Sequence, residues 1–158
     1  MEKFDFIEMT IPAKADYIGV IRLSLSGIAN RMGFSYESIE DLKVAVSEAI
    51  TNAVTHAYNE ENKGEITLGF GIYEDRLEIM VADRGVSFNL NEVRKKVGPY
   101  KSTESVEDLR EGGFGLFLIN ALMDKVEIHD NQGIIIMMTK YIKETGVGLD
   151  DDQVSTTL

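Results

Sequence analysis

The sequence predicts an α+β fold of two layers: a mixed, mostly antiparallel sheet with helices packed on one face, an α/β sandwich. Three observations lead there. The apolar pattern runs β-α-α-β-β-long loop-α-β-β along the chain. The strands come as hairpins rather than in βαβ alternation, which argues against a Rossmann arrangement. The chain has 158 residues, 44% hydrophobic and 27% charged, a globular balance suited to one domain with one sizeable core.

Residues 4–11, "FDFIEMTI", alternate as a strand does, and Pro12 closes it. Ile18, Ile21, Leu25, Ile28, Ala29 and Met32 recur at helical spacing, with Gly33 as the stop. The next helix opens with Ser35 and Ser38 as cap candidates. Asp41, three residues beyond Ser38, is an acceptable capping-box partner, though the box prefers Glu or Gln. Leu42, Val46, Ala49, Ile50, Ala53, Val54 and Ala57 form its apolar stripe. "EITLGFGIY" and "RLEIMVAD" read as two strands joined by a turn at "ED". Residues 84–112 show only patches of helical pattern, around 91–97 and 106–109, and so long an irregular stretch points to function or mobility. "GFGLFLINALMD" reads as a helix beginning near Leu116 after a glycine-rich turn. "KVEIHD" and "GIIIMMTKYI" close the fold as a hairpin around "NQG". The acidic tail is predicted to be disordered.

The net charge of −11 argues against direct nucleic-acid binding and against an anionic membrane surface, both of which favour basic patches. A small anionic ligand stays open, because it needs only local N–H groups and one or two cations. There is no cysteine, hence no disulfide and no thiolate metal site. No signal-peptide pattern or membrane-length apolar run is seen, so a cytoplasmic location is expected.

Three constellations could carry chemistry. In "SEAITNAVTHAY" the only full charge between Val44 and Tyr58 is Glu48. Glu48, Asn52 and His56 follow one another at roughly 40° around the helix, a ridge beside the apolar stripe. Ser47, Thr51 and Thr55 fill the remaining polar face, where Lys and Glu are the better helix formers. Short polar residues facing water would account for this; so would a ligand resting there, with Glu48 as a base and Asn52 as a neutral metal ligand. His56 alone reads more readily as a structural hydrogen-bonder.

The second constellation is "ADRGVSF" at the end of an apolar strand. It is an ordinary turn on its own terms. Alternatively, Asp83 accepts a hydrogen bond from a ligand's amino group, and Gly85 lets the backbone come close. The third is "REGGFGL". Gly112, Gly113 and Gly115 before a helix suit a plain opening turn or a phosphate held by backbone N–H groups, and Arg110 adds a planar cation. It is neither a Walker motif nor a dinucleotide fingerprint. Each signal is weak alone, and their order is more specific.

In that order, "EAITNAVTH", "DRG", "REGGFGL" and the late Thr139 in "IIIMMTKY" resemble the ATP-binding domain shared by gyrase, a heat-shock chaperone, histidine kinases and MutL, the Bergerat fold, over roughly residues 8–142. Within it the chain resembles the anti-sigma-factor serine kinases of the RsbW type. That resemblance implies a single domain over residues 1–143, with an ATP lid at 86–112 and a separate acidic tail at 144–158. It implies ATP and Mg²⁺ as cofactors. Asn52 would hold the metal, and Glu48 would be the base toward the acceptor hydroxyl. Asp83 would accept from the adenine amino group, with Thr139 supporting that contact and Gly85 making room. Gly113 and Gly115 would offer N–H groups to phosphate, and Arg110 would reach the terminal phosphate. Many relatives carry Asp-x-Gly-x-Gly, whereas the last position here is Ser87, which implies a stiffer lid hinge.

The function so implied is a protein serine kinase that inhibits a general-stress, sigma B type, RNA polymerase sigma factor. It would phosphorylate a serine on a small anti-anti-sigma antagonist, and it would be a homodimer through residues 4–32. The acidic balance suits a basic partner. Two alternatives are an ATP-gated interaction module without transferase activity, which would not need Glu48 as a base, and an isolated histidine-kinase catalytic domain. Against the latter, the sequence shows no phosphoacceptor helical hairpin ahead of the nucleotide domain, so an acceptor would have to be another protein.

Overall fold

A computed structural model describes residues 2–59, 64–83, 114–130 and 134–143. Strand β1 (Asp5–Pro12) leads through a 3₁₀ turn (Ala15–Tyr17) into α1 (Ile18–Met32) and α2 (Tyr36–Asn59). Strands β2 (Glu65–Ile72) and β3 (Arg76–Ala82) follow, then α3 (Phe114–Leu122), β4 (Lys125–Asp130) and β5 (Ile134–Tyr141). The expected lid, 86–112, and tail, 144–158, lie outside the described residues.

The sheet order is β1-β2-β3-β5-β4, and every neighbouring pair is antiparallel. The expected mixed sheet thus has no parallel pair among the described residues, because β5 turns back on β4 and inserts beside β3.

Side-chain alternation divides the sheet cleanly. Ile11, Ile66, Leu68, Phe70, Leu77, Ile79, Val81, Ile128, Ile136 and Met138 enter one core with Ile21 and Leu25 of α1, Leu42, Val46 and Ile50 of α2, and Leu116 and Ile119 of α3. All three helices therefore cover the same face, as the two-layer expectation required.

The joints follow local chemistry. Gly33 ends α1 with φ 96, a left-handed conformation, and its N–H reaches Ala29 O and Asn30 O. Phe34 N–H also donates to Ala29 O, and its ring is buried. Of the two cap candidates Ser35 serves: its Oγ accepts the Ser38 N–H at 3.1 Å, and α2 starts one residue later. Ser38 is thus already helical, and Asp41 belongs to no capping box on Ser38. Helix α3 begins at Phe114, two residues before the expected Leu116, so Gly115 lies inside its first turn.

Candidate active site

The Glu48–Asn52 ridge points sideways, toward α3. A Cβ built on Gly115 would lie 2.8 Å from Glu48 Oε1 and 3.7 Å from both Asn52 Oδ1 and Nδ2. Both side chains are half-buried, whereas Thr51 and Thr55 face solvent. The charge-poor flank of α2 is therefore one wall of a junction with α3, and Thr51 turns its hydroxyl back to Ser47 O at 2.8 Å.

This junction has a definite chemistry. The first turn of a helix carries backbone N–H groups with no intrahelical partner and the positive end of the peptide dipoles. At Gly115 no side chain shields them. Glu48 supplies a carboxylate and Asn52 a carboxamide against the same glycine. Space that a Cβ would fill, N–H donors and a neutral oxygen ligand together fit a phosphate chain with a hard cation that prefers oxygen.

Asp83 sits at the far end of β3, 3% exposed, and its Oδ1 accepts the Ile134 N–H at 3.2 Å. It continues the alternation of Leu77, Ile79 and Val81, which places it with the helix-side set. A buried carboxylate fixed by a backbone donor can present its remaining lone pairs to an amino group.

Thr139 does not join it. Thr139 pairs with Glu78 and Lys125, and its neighbour Met138 faces the helices, so Thr139 stands on the opposite face of the sheet. The β3–β5 register also sets it five positions from the Asp83 end, about 17 Å at strand rise. Expected support of Asp83 by Thr139 is therefore corrected: the backbone N–H of Ile134 is a neighbour that braces Asp83 instead. Gly85, Arg110 and Gly113 lie outside the described residues, as does the side chain of His56.

Lys140 escaped the sequence reading. It is 7% exposed and donates from Nζ to Leu122 O at 2.7 Å, at the C-terminus of α3, with Asp41 Oδ2 at 3.8 Å. The signal was present, since a lysine follows Ile136 and Met138 in the inward-facing register of β5. Among the described residues, no group of three or more His, Cys, Asp or Glu side chains could hold a metal ion. No described helix is long and apolar enough to cross a membrane.

Comparison with known proteins bears on the same residues. The model of the histidine kinase-like ATPase domain matches residues 11–140. A serine-protein kinase RsbW of Oceanobacillus iheyensis is 67% identical over 157 residues, 99% of each chain. A Bacillus cereus protein of the same name is 57% identical over 156 residues, 99% of this chain and 97% of its own. Among solved structures, the RsbU and RsbW domains of a Mycobacterium tuberculosis protein superpose with TM-score 0.61 at 20% identity, covering 87% of this chain and 32% of that one. The SiaB–SiaC complex of Pseudomonas aeruginosa gives 0.55 at 13%, covering 86% and 88%. At such identities these two speak for the fold alone.

Proposed function

The chain belongs to the histidine kinase-like ATPase domain family and, within it, to the RsbW serine-protein kinases, and from that premise we propose how its residues divide the work. The protein is an ATP-dependent serine-protein kinase of the anti-sigma type. The observation that carries the residue assignment is the meeting of Glu48, Asn52 and the side-chain-free first turn of α3 at Gly115.

Asp83 receives the amino group of adenine. The first-turn N–H groups of α3 hold phosphate, together with Gly113 and Arg110. Asn52 is the protein's ligand to Mg²⁺, which neutralises phosphate charge when bound. Glu48 takes the proton from the serine hydroxyl as its oxygen bonds to the γ-phosphorus, and the bond from that phosphorus to the bridging oxygen breaks, so that ADP leaves. A single carboxylate on the flank keeps repulsion of the triphosphate low while leaving a base within reach. Gly85 leaves room for the adenine ring.

The partners are a general-stress sigma factor of the sigma B type, held in the inhibited complex, and a small anti-anti-sigma protein that is the serine substrate. The protein works in the cytoplasm as a homodimer through residues 4–32. That segment includes the edge strand β1, with Ile7 40% exposed, and Leu23 of α1, 77% exposed. Partner capture on the immobilised protein, with and without Mg-ATP, tests this reading by mass spectrometry that scores phosphoserine. A sigma factor retained with ATP, and a small protein retained without it and released phosphorylated once Mg-ATP is added, are the expected results. ATP bound or hydrolysed with no partner would remove the partner-switching role.

A further inference from the structure

Lys140, on β5, contacts both helices that frame the phosphate end of the site, at the other end of their shared seam. Its ammonium donates to Leu122 O, an otherwise unpaired carbonyl type at the end of α3, and stands 3.8 Å from Asp41 on α2. Two further bonds fasten the same corner: Asp124 N–H donates to Thr139 O at 3.0 Å, and Tyr141 N–H to Asp124 Oδ2 at 2.7 Å.

The spacing along both helices is the same. Asp41 lies seven residues before Glu48 on one flank of α2, and Leu122 lies seven residues after Gly115 on α3. Seven residues are two turns, about 10.5 Å. Helices α2 and α3 thus run antiparallel along this seam, with Lys140 fastening one end and the Glu48–Gly115 contact at the other. Helix α3 has only nine residues, so its axial position at one end fixes the other. At the Gly115 end the helix start lies so near the Glu48 carboxylate that a Cβ there would stand 2.8 Å from Oε1, so any axial shift of α3 changes the distance between its first-turn N–H groups and that carboxylate.

We propose that Lys140 is a positioning residue for phosphoryl transfer: it sets the axial register of α3 against α2, and thereby the placement of the first-turn N–H groups relative to Glu48. A cation at the C-terminal end of a helix suits the negative end of the peptide dipoles, and burial strengthens the contact. The proposal rests on the assignment of the Glu48–Gly115 junction as the phosphate end. Misplacement by about 1 Å can cost on the order of a hundredfold in rate.

The test compares Lys140→Met with Lys140→Arg in the full chain. Lys140→Gln, which keeps a donor without the charge, replaces the methionine variant should that one not fold. The first readout is the Gly115 amide resonance. It should move in the methionine or glutamine variant and stay near its native position in the arginine variant. The second is single-turnover phosphate transfer from Mg-ATP to the protein isolated by partner capture. Transfer should fall about tenfold or more in the uncharged variant, with Kd for ATP within about threefold, and the arginine should recover most of it. A folded uncharged variant with a native Gly115 resonance and native transfer would overturn the proposal. So would a loss of ATP affinity as large as the loss of transfer. Neither outcome touches the base assignment, which full transfer by Glu48→Gln would overturn separately.

Discussion

A Cβ placed on Gly115 would stand 2.8 Å from Glu48 Oε1. The atom it meets is the end of a flexible side chain, so a methyl there displaces the carboxylate instead of breaking the fold. Alanine is also the better helix former by up to about 1 kcal/mol. Gly115→Ala should therefore keep or raise Tm while phosphate transfer drops about tenfold or more. Thermal melting and single-turnover transfer on one preparation check both halves. A destabilised protein with native transfer would contradict the placement.

Glu48→Gln removes the base and keeps the shape. General-base contributions run to roughly 10²–10⁴-fold. Nucleotide binding should be retained, and serine phosphorylation should fall within that range. Transfer at the native rate would mean that the carboxylate only frames the pocket, as an ATP-gated module would need.

Asp83→Asn separates two duties of one side chain. Its Oδ1 accepts the Ile134 N–H at 3.2 Å, a bond that an amide oxygen can keep. The fold should therefore survive. An amide offers its remaining positions partly as donors, which oppose the amino group of adenine. ATP affinity by calorimetry should weaken about tenfold or more. Unchanged affinity would take Asp83 out of the adenine site.

Thr139→Val tests the corrected placement. The hydroxyl lies on the sheet face away from the helices, in register with Glu78 and Lys125. Valine has nearly the same shape, so ATP affinity should stay within about twofold, with any cost appearing as stability. A tenfold loss of affinity would restore Thr139 to the nucleotide site.

What the sequence disclosed depended on how each feature is encoded. The Glu48–Asn52 ridge was legible because helical spacing fixes neighbours four residues apart. The hairpins were legible because strand alternation and turn residues are local. Thr139 was misplaced because motif order says nothing of sheet face, whereas its period-2 position beside the inward-facing Met138 does. Asp41 illustrates the same limit: its spacing from Ser38 suggested a cap, but Ser35 took that role and Asp41 came to lie near Lys140, ninety-nine positions away. The Ile134 donor to Asp83 was invisible, since a backbone N–H carries no sequence signature.

Far from the junction, Arg76 ties the N-terminal segment to the β2–β3 hairpin. Its guanidinium donates to both Glu2 carboxylate oxygens, to Asp75 Oδ1 and to Glu78 Oε2, all at 2.8–3.0 Å. It also lies 3.8 Å above the Tyr73 ring centre, and Phe4 stacks on that ring at 4.7 Å. Gly71 lies against the same ring: a Cβ there would stand 3.2 Å from Tyr73 Cε1. The Glu2 hydrogen bond, against burial and with help from Glu78 and Asp75, holds Arg76 above its ordinary pKa. A raised basic group stabilises the fold fully below its unfolded pKa and loses that contribution only as pH rises through the folded value. Every ordinary working pH lies below both, so the titration of Arg76 itself adds no pH dependence there. Glu2 and Asp75 are exposed and contribute little as ion pairs, whereas the Glu78 side chain is only 12% exposed, so its charge-assisted hydrogen bond to Arg76 Nε is the stronger contact. Arg76→Met should therefore cost about 1–2 kcal/mol in urea unfolding, nearly the same at about pH 7 and about pH 9, with ATP affinity unchanged. A loss below about 0.5 kcal/mol would show that the Arg76–Glu78 hydrogen bond adds little to the fold.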